Sequence, residues 1–174
     1  DGQYTLYVTA EIDYGDGTKA HTCTRPIYLD TQAPELSDFK IVYENGKKYL
    51  ELALKDNHYI QVAAISDPEG NVIGMNTDIS SESCRFDITD KSGDFLVESA
   101  DYALNFASEQ ITVVDEYIAF FDSDETLSRV TKNETVLVDG VPVSDYDGIN
   151  FNENEVYAKV FIWTKNLNPL YYEF

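Results

Sequence analysis

The sequence predicts an all-β chain of antiparallel sandwich layers, and three observations carry that expectation. Apolar and polar residues alternate with period two in most hydrophobic runs, as in Tyr4, Leu6, Val8, Ala10 and Ile12, the mark of a strand with one buried face. Clusters of Gly, Asn, Asp and Pro punctuate the chain about every ten residues, the spacing of short strands joined by turns. A helical period is almost nowhere sustained.

The elements follow in order. Tyr4 to Ile12 is a strand, Asp13-Tyr14-Gly15-Asp16-Gly17 a turn, and Thr18 to Tyr28 the returning strand. Two strands alone are marginal in water, so this hairpin reads as the end of a preceding sandwich. Asp30-Thr31-Gln32-Ala33-Pro34 is an extended exit, because Pro34 drives Ala33 out of helical geometry. Phe39, Ile41 and Tyr43 alternate up to Asn45-Gly46, a type I′ hairpin signal, and Leu50, Leu52 and Leu54 alternate on the return. Asp56-Asn57-His58-Tyr59 interrupts before the apolar run Ile60 to Ile65, and Asp67-Pro68-Glu69-Gly70-Asn71 is a turn leading to Val72 and Ile73. Cys84, Phe86 and Ile88 form another half-buried strand; Phe95 to Val97 leads to Asp101-Tyr102-Ala103-Leu104-Asn105. Beyond Ser108 come Ile118 to Phe121, Thr135 to Val138 with the turn Asp139-Gly140, and the alternating run Val156 to Trp163. The expected division is a terminal hairpin over 1–33, a sandwich over 34–107 and a small β-module over 108–174.

Composition limits what such a chain does. Its 174 residues are 43% hydrophobic and 13% aromatic, with a net charge of −20. That apolar share is too high for a disordered acidic tail. The negative charge excludes nucleic-acid binding and binding to an anionic membrane, both of which need Lys/Arg patches. No stretch approaches the roughly 20 apolar residues of a membrane span. The chain begins at Asp1 with neither an initiator Met nor a leader, so it reads as a piece of something longer.

Little in it looks catalytic. There are two His and two Cys residues, and no phosphate-binding Gly loop, His-Glu-x-x-His or Gly-x-Ser-x-Gly occurs. His58 lacks a catalytic partner in the sequence and reads as a loop residue. Cys84 shares a face with Phe86 and Ile88 and is expected to be buried, whereas Cys23, beside His21 and Arg25, is expected to be exposed; both read as free thiols.

Several motifs resemble one family. Asp1-Gly2-Gln3-Tyr4-Thr5 followed by Arg25-Pro26-Ile27-Tyr28-Leu29-Asp30-Thr31-Gln32-Ala33-Pro34 resembles the end of the fibronectin-type-III-like domain of Gram-positive cell-envelope subtilisin-like proteases of the lactocepin type. Lys55-Asp56-Asn57-His58-Tyr59 and Ala100-Asp101-Tyr102-Ala103-Leu104-Asn105 resemble turns of the immunoglobulin-like module that follows it, with Leu104 where Gly is common. Trp163-Thr164-Lys165-Asn166-Leu167-Asn168-Pro169-Leu170 is similar to the close of a small β-module of secreted Gram-positive proteins. The resemblance implies tandem immunoglobulin/fibronectin-III-like sandwiches and an extracellular, secreted or wall-anchored location. It also implies a non-catalytic spacer or interaction region. The partners would be the catalytic and neighbouring domains of the same polypeptide, together with a protein substrate or a cell-wall glycan.

Two candidate sites remain. Calcium takes six to eight oxygens, and Asp122 with Asp124, or Asp145 with Asp147, sit in acidic turns that would supply some of them; each also suits a turn in which Asp caps its own backbone. Asp56, Asn57 and Asp101 stand at strand ends that would converge at one pole of the middle sandwich, with a pair of Asx turns as their simplest role. Tyr157, Phe161 and Trp163 share one strand face. Exposed, they would stack on sugar rings and make a carbohydrate-binding or adhesin-type module; the expectation here is burial, since so small a unit needs aromatic area.

Overall fold

The computed structural model describes residues 1–79, 82–144, 149–163 and 169–173. It is all-β: the described residues form thirteen strands and no helix. β1 (Gly2–Asp13) and β2 (Thr18–Leu29) pair along their whole length as an isolated hairpin, with Tyr4 opposite Ile27 and Val8 opposite Cys23. Every residue of both strands is exposed, including Tyr4, Leu6, Val8 and Ile12 of the alternating row.

The rest is layered. β3 (Glu35–Glu44), β4 (Lys47–Lys55) and β7 (Ser83–Asp87) form one antiparallel sheet. The β3–β4 turn has Asn45 at φ 52° and Gly46 at φ 76°, the paired left-handed residues that a type I′ turn demands. A second sheet contains β5 (Ile60–Ser66), β6 (Val72–Ile79), β8 (Gly93–Asp101), β9 (Phe106–Asp122), β10 (Leu127–Val138), β11 (Val141–Pro142), β12 (Glu155–Trp163) and β13 (Pro169–Glu173). Leu50, Leu52, Leu54, Cys84 and Phe86 of the first sheet close on Ala63, Ile65, Phe95, Val97, Ile111, Val113 and Val136 of the second to make a sandwich core. Lys48 crosses between the layers, 9% exposed, with Nζ 2.9 Å from Glu134 Oε1; the Tyr43 hydroxyl donates to Oε2 of the same carboxylate.

β9 is the spine. β10 covers one edge over Ile111 to Phe121; the other edge is shared, with β8 paired to Phe106–Val113 and β12 to Glu116–Asp122. Because successive side chains point to opposite faces, Val113 enters the sandwich core while Val114 enters a second core with Ile118, Phe120, Leu137, Ala158, Val160 and Ile162. Val136 and Leu137 divide in the same way on β10. The two cores therefore lie on opposite faces of one sheet, and the expected boundary between residues 107 and 108 falls inside a continuous strand. Arg129 closes the far end, its Nε 2.8 Å from Glu155 Oε1; this hydrogen bond holds the Glu155 carboxyl down at about 2.

Candidate metal centre

Among the described residues, one group of three acidic side chains offers carboxylate oxygens all within 4.8 Å of one another: Asp30, Asp56 and Asp101. Each stands where a strand stops. Asp30 follows β2, Asp56 follows β4, and Asp101 is the last residue of β8, paired with Ile60 at the start of β5. The group thus joins the exit of the hairpin to one pole of the sandwich.

Local hydrogen bonds aim the side chains. Asp56 Oδ1 accepts the His58 N–H at 2.8 Å, and Asp30 Oδ1 accepts the Gln32 N–H at 3.0 Å, both Asx turns. Asn57 Nδ2 donates to Asp30 Oδ1 at 3.1 Å. Asn105 donates its N–H to Asp101 Oδ1 and its amide Nδ2 to Asp101 Oδ2, each at 2.8 Å, and the same Nδ2 lies 3.2 Å from the Asp30 carbonyl. Leu104, just before it, is held at φ 66°. That left-handed geometry penalises a branched side chain and suits the Gly common at this point in the family the motif resembles.

Two oxygens are left over. Asp30 Oδ2 and Asp56 Oδ2 are fully buried and meet no donor, and Asp101 is only 1% exposed. A buried, unpartnered carboxylate oxygen is costly. Three like charges at about 4.8 Å repel by roughly 3–4 kcal/mol per pair at an effective dielectric of ~20. Elsewhere the chain matches its packed acids with bases: Glu134 with Lys48, Glu155 with Arg129, Glu51 with Lys40 and Arg85. Hydrogen bonds from Lys40 and Arg85 hold the Glu51 carboxyl below its ordinary range. No ion pair among the described residues involves Asp30, Asp56 or Asp101. An all-oxygen donor set of this charge suits a hard divalent cation, not zinc, which favours nitrogen and sulfur.

Beside the cluster lies a cavity of about 550 Å³ lined by Tyr28, Asp30, His58, Tyr59, Tyr102 and Ala103. Tyr28 of the hairpin meets His58 of the sandwich edge-on, ring centres 5.8 Å apart. His21 is bonded to the Tyr14 hydroxyl, 3.1 Å from its Nε2. Cys23 is exposed and Cys84 buried, and burial pushes the Cys84 thiol up.

The other candidate residues fall differently. Asp122 Oδ1 accepts the N–H groups of Asp124 and Thr126 at 3.0 and 2.9 Å, which is turn capping, and Asp124 is exposed. Asp145 and Asp147 lie outside the described residues. Tyr157, Phe161 and Trp163 do share a face, but the expectation that they are core fails. The buried face of β12 belongs to Ala158, Val160 and Ile162, and Trp163 is 46% exposed. Tyr157 stacks on Phe121 at 4.9 Å, beside the aliphatic and aromatic groove that Tyr117, Ala119, Val130, Phe161 and Trp163 line. The sequence reading missed Asp30 as a site residue; its only signal was an acid in the exit segment facing the two turns that carry Asp56 and Asp101.

No protein family, characterised protein or solved structure matches the chain.

Proposed function

We propose that the chain is a non-catalytic spacer and interaction region of an extracellular, cell-wall-associated subtilisin-like protease, which holds the catalytic part at a set orientation or helps it engage protein substrates. The observation that carries this reading is the joint. A fully solvent-exposed hairpin is tied to a rigid double-core sheet at one pole, through Asp30, Asn57 and Asn105 and through the Tyr28–His58 contact. That is the construction of a linked series of modules, in which the end of one unit is clamped to the pole of the next. The motif resemblance supplies the parent enzyme, and the hydrogen bond and ring contact that occupy His21 and His58 agree with a supporting role. In the full-length parent, truncation at Ala33 should leave hydrolysis of a short chromogenic peptide unchanged and alter the cleavage pattern of a folded protein substrate. An identical pattern with and without residues 34–174 would refute the arm reading.

A second reading rests on the outward aromatic face of β12. Half-exposed Trp163, with Tyr157 and Phe161 on the same face, supports a glycan-stacking surface. Binding on a glycan array that disappears in Trp163→Ala would favour it, and an array without binding would reject it.

A further inference from the structure

We propose that Asp30, Asp56 and Asp101 bind one calcium-class divalent cation, and that this ion locks the β1–β2 hairpin to the pole of the sandwich. The locking role rests on the arm reading above; the binding does not.

Two independent observations meet here. The first is convergence: three carboxylates from three separate strand ends, with ligand oxygens within 4.8 Å. Two oxygens on one calcium ion, each about 2.3–2.6 Å from it, are separated by no more than about 4.6–5.2 Å. The second is want of donors. Asp30 Oδ2 and Asp56 Oδ2 are sealed from water with no hydrogen bond, although both turns already use the companion Oδ1. A capping function is therefore complete without Oδ2, and the leftover pair marks a place for positive charge. Asp101, the most buried of the three, has its carboxylate fixed by both Asn105 donors, so it presents a prepositioned ligand. The Asp30 carbonyl, 3.2 Å from Asn105 Nδ2, is a further oxygen at the same place.

The ion's mechanical effect follows from where the ligands sit. Asp30 belongs to the hairpin exit, whereas Asp56 and Asp101 belong to the sandwich. Without a cation their charges push the two bodies apart. With one, the same charges draw the joint together and fix the angle at which the hairpin leaves. Few protein ligands, with water completing the shell, correspond to the weak class of extracellular calcium sites, with Kd about 10⁻⁴–10⁻³ M.

The test uses the whole chain. Terbium, a calcium surrogate excited through tyrosine, is titrated in and then displaced with calcium; Tyr28, Tyr59 and Tyr102 beside the cluster act as sensitisers. One saturable site is expected, with affinity at least tenfold weaker in Asp56→Asn and in Asp30→Asn and unchanged in Asp122→Asn. Stability separates ion binding from a structural role. In chelator, Asp56→Asn and Asp30→Asn should melt above wild type because repulsion is relieved, and in millimolar calcium wild type should overtake both. Absence of saturable binding, equal affinity in the variants, or variants less stable in both conditions would overturn the site. For locking, spin labels on the exposed thiol of Cys23 and on Glu69→Cys should give a distance distribution that narrows on adding calcium. A bound ion with an unchanged distribution overturns the locking role, while the arm reading stands or falls on the truncation of the parent.

Discussion

Val113 and Val114 are neighbours in sequence that serve different cores. The sharpest prediction is that the two cores melt together. Val113 is 1% exposed in the sandwich core and Val114 is 7% exposed in the second core. Replacing either with Ala deletes two methyl groups, about 1.6 kcal/mol of transfer free energy at ~0.8 kcal/mol per group. A residual cavity of about 25–50 Å³ adds roughly 0.6–1.2 kcal/mol, for a total of about 2–3 kcal/mol per variant. At roughly 2–4 °C per kcal/mol for a unit of this size, each lowers Tm by about 4–12 °C. The assay is paired thermal melts read by far-UV circular dichroism and by fluorescence of Trp163, the single Trp, which sits on β12 beside the second core. Because β9 and β10 are shared, Val113→Ala should shift the Trp163 curve as far as Val114→Ala does, and the two probes should coincide. If Val113→Ala moved only the dichroism and left the Trp163 transition in place, the two cores would be independent. The reasoning from a common spine would then be refuted.

Two further outcomes are expected. Gly74 on β6 lies against the sandwich core; a Cβ there would stand 3.0 Å from Phe86 Cδ1 and 3.1 Å from Ile65 Cγ2, side chains that are 2% and 0% exposed. Gly74→Ala should therefore cost about 1–2 kcal/mol by chemical denaturation, less in a Phe86→Leu background; a stabilised Gly74→Ala protein would contradict that packing. Glu155, held at about 2 against an ordinary 4.5 chiefly by its hydrogen bond from Arg129, contributes stability that is present above about pH 4.5 and lost as pH falls towards 2. Tm measured from pH 6 to 2 should fall less steeply in Glu155→Gln than in wild type, the remaining slope belonging to carboxylates such as Glu51; parallel curves would reject the assignment.

Much of the fold was legible because it depends on local rules. Alternation at Leu50, Leu52 and Leu54 requires one buried face wherever the strand ends up, and those three are core. Asn45-Gly46 adopts two left-handed residues because few other pairs do so at low cost. Cys84 follows Phe86 into the core by parity alone. The aromatic row of β12 shows where parity stops being informative. Alternation places Tyr157, Phe161 and Trp163 on one face and Ala158, Val160 and Ile162 on the other, without saying which turns inward. Here the smaller set packs against Val114, Ile118 and Phe120 and leaves the rings outside. The division after Ala107 was misleading for a related reason: Phe106 to Asp122 carries apolar residues on both faces in its middle, which a scan for one-sided strands reads as an interruption.

The candidate centre divides in the same way. Asp56 and Asp101 were visible as turn acids at strand ends, since an Asx turn is written in adjacent residues. Asp30 was not, because nothing local distinguishes an acid that caps a turn from one that also faces two others across a joint.

By itself, then, the amino-acid sequence determined the strand content, the turn types and the solvated acidic surface, all of which arise from interactions within a few residues. Only the tertiary structure decided that β9 serves two cores on opposite faces of one sheet, and that Asp30, Asp56 and Asp101 meet with two oxygens unsatisfied. Both depend on which strand edges and chain ends come to lie together. That is settled by burial summed over the whole sheet, which no short segment encodes.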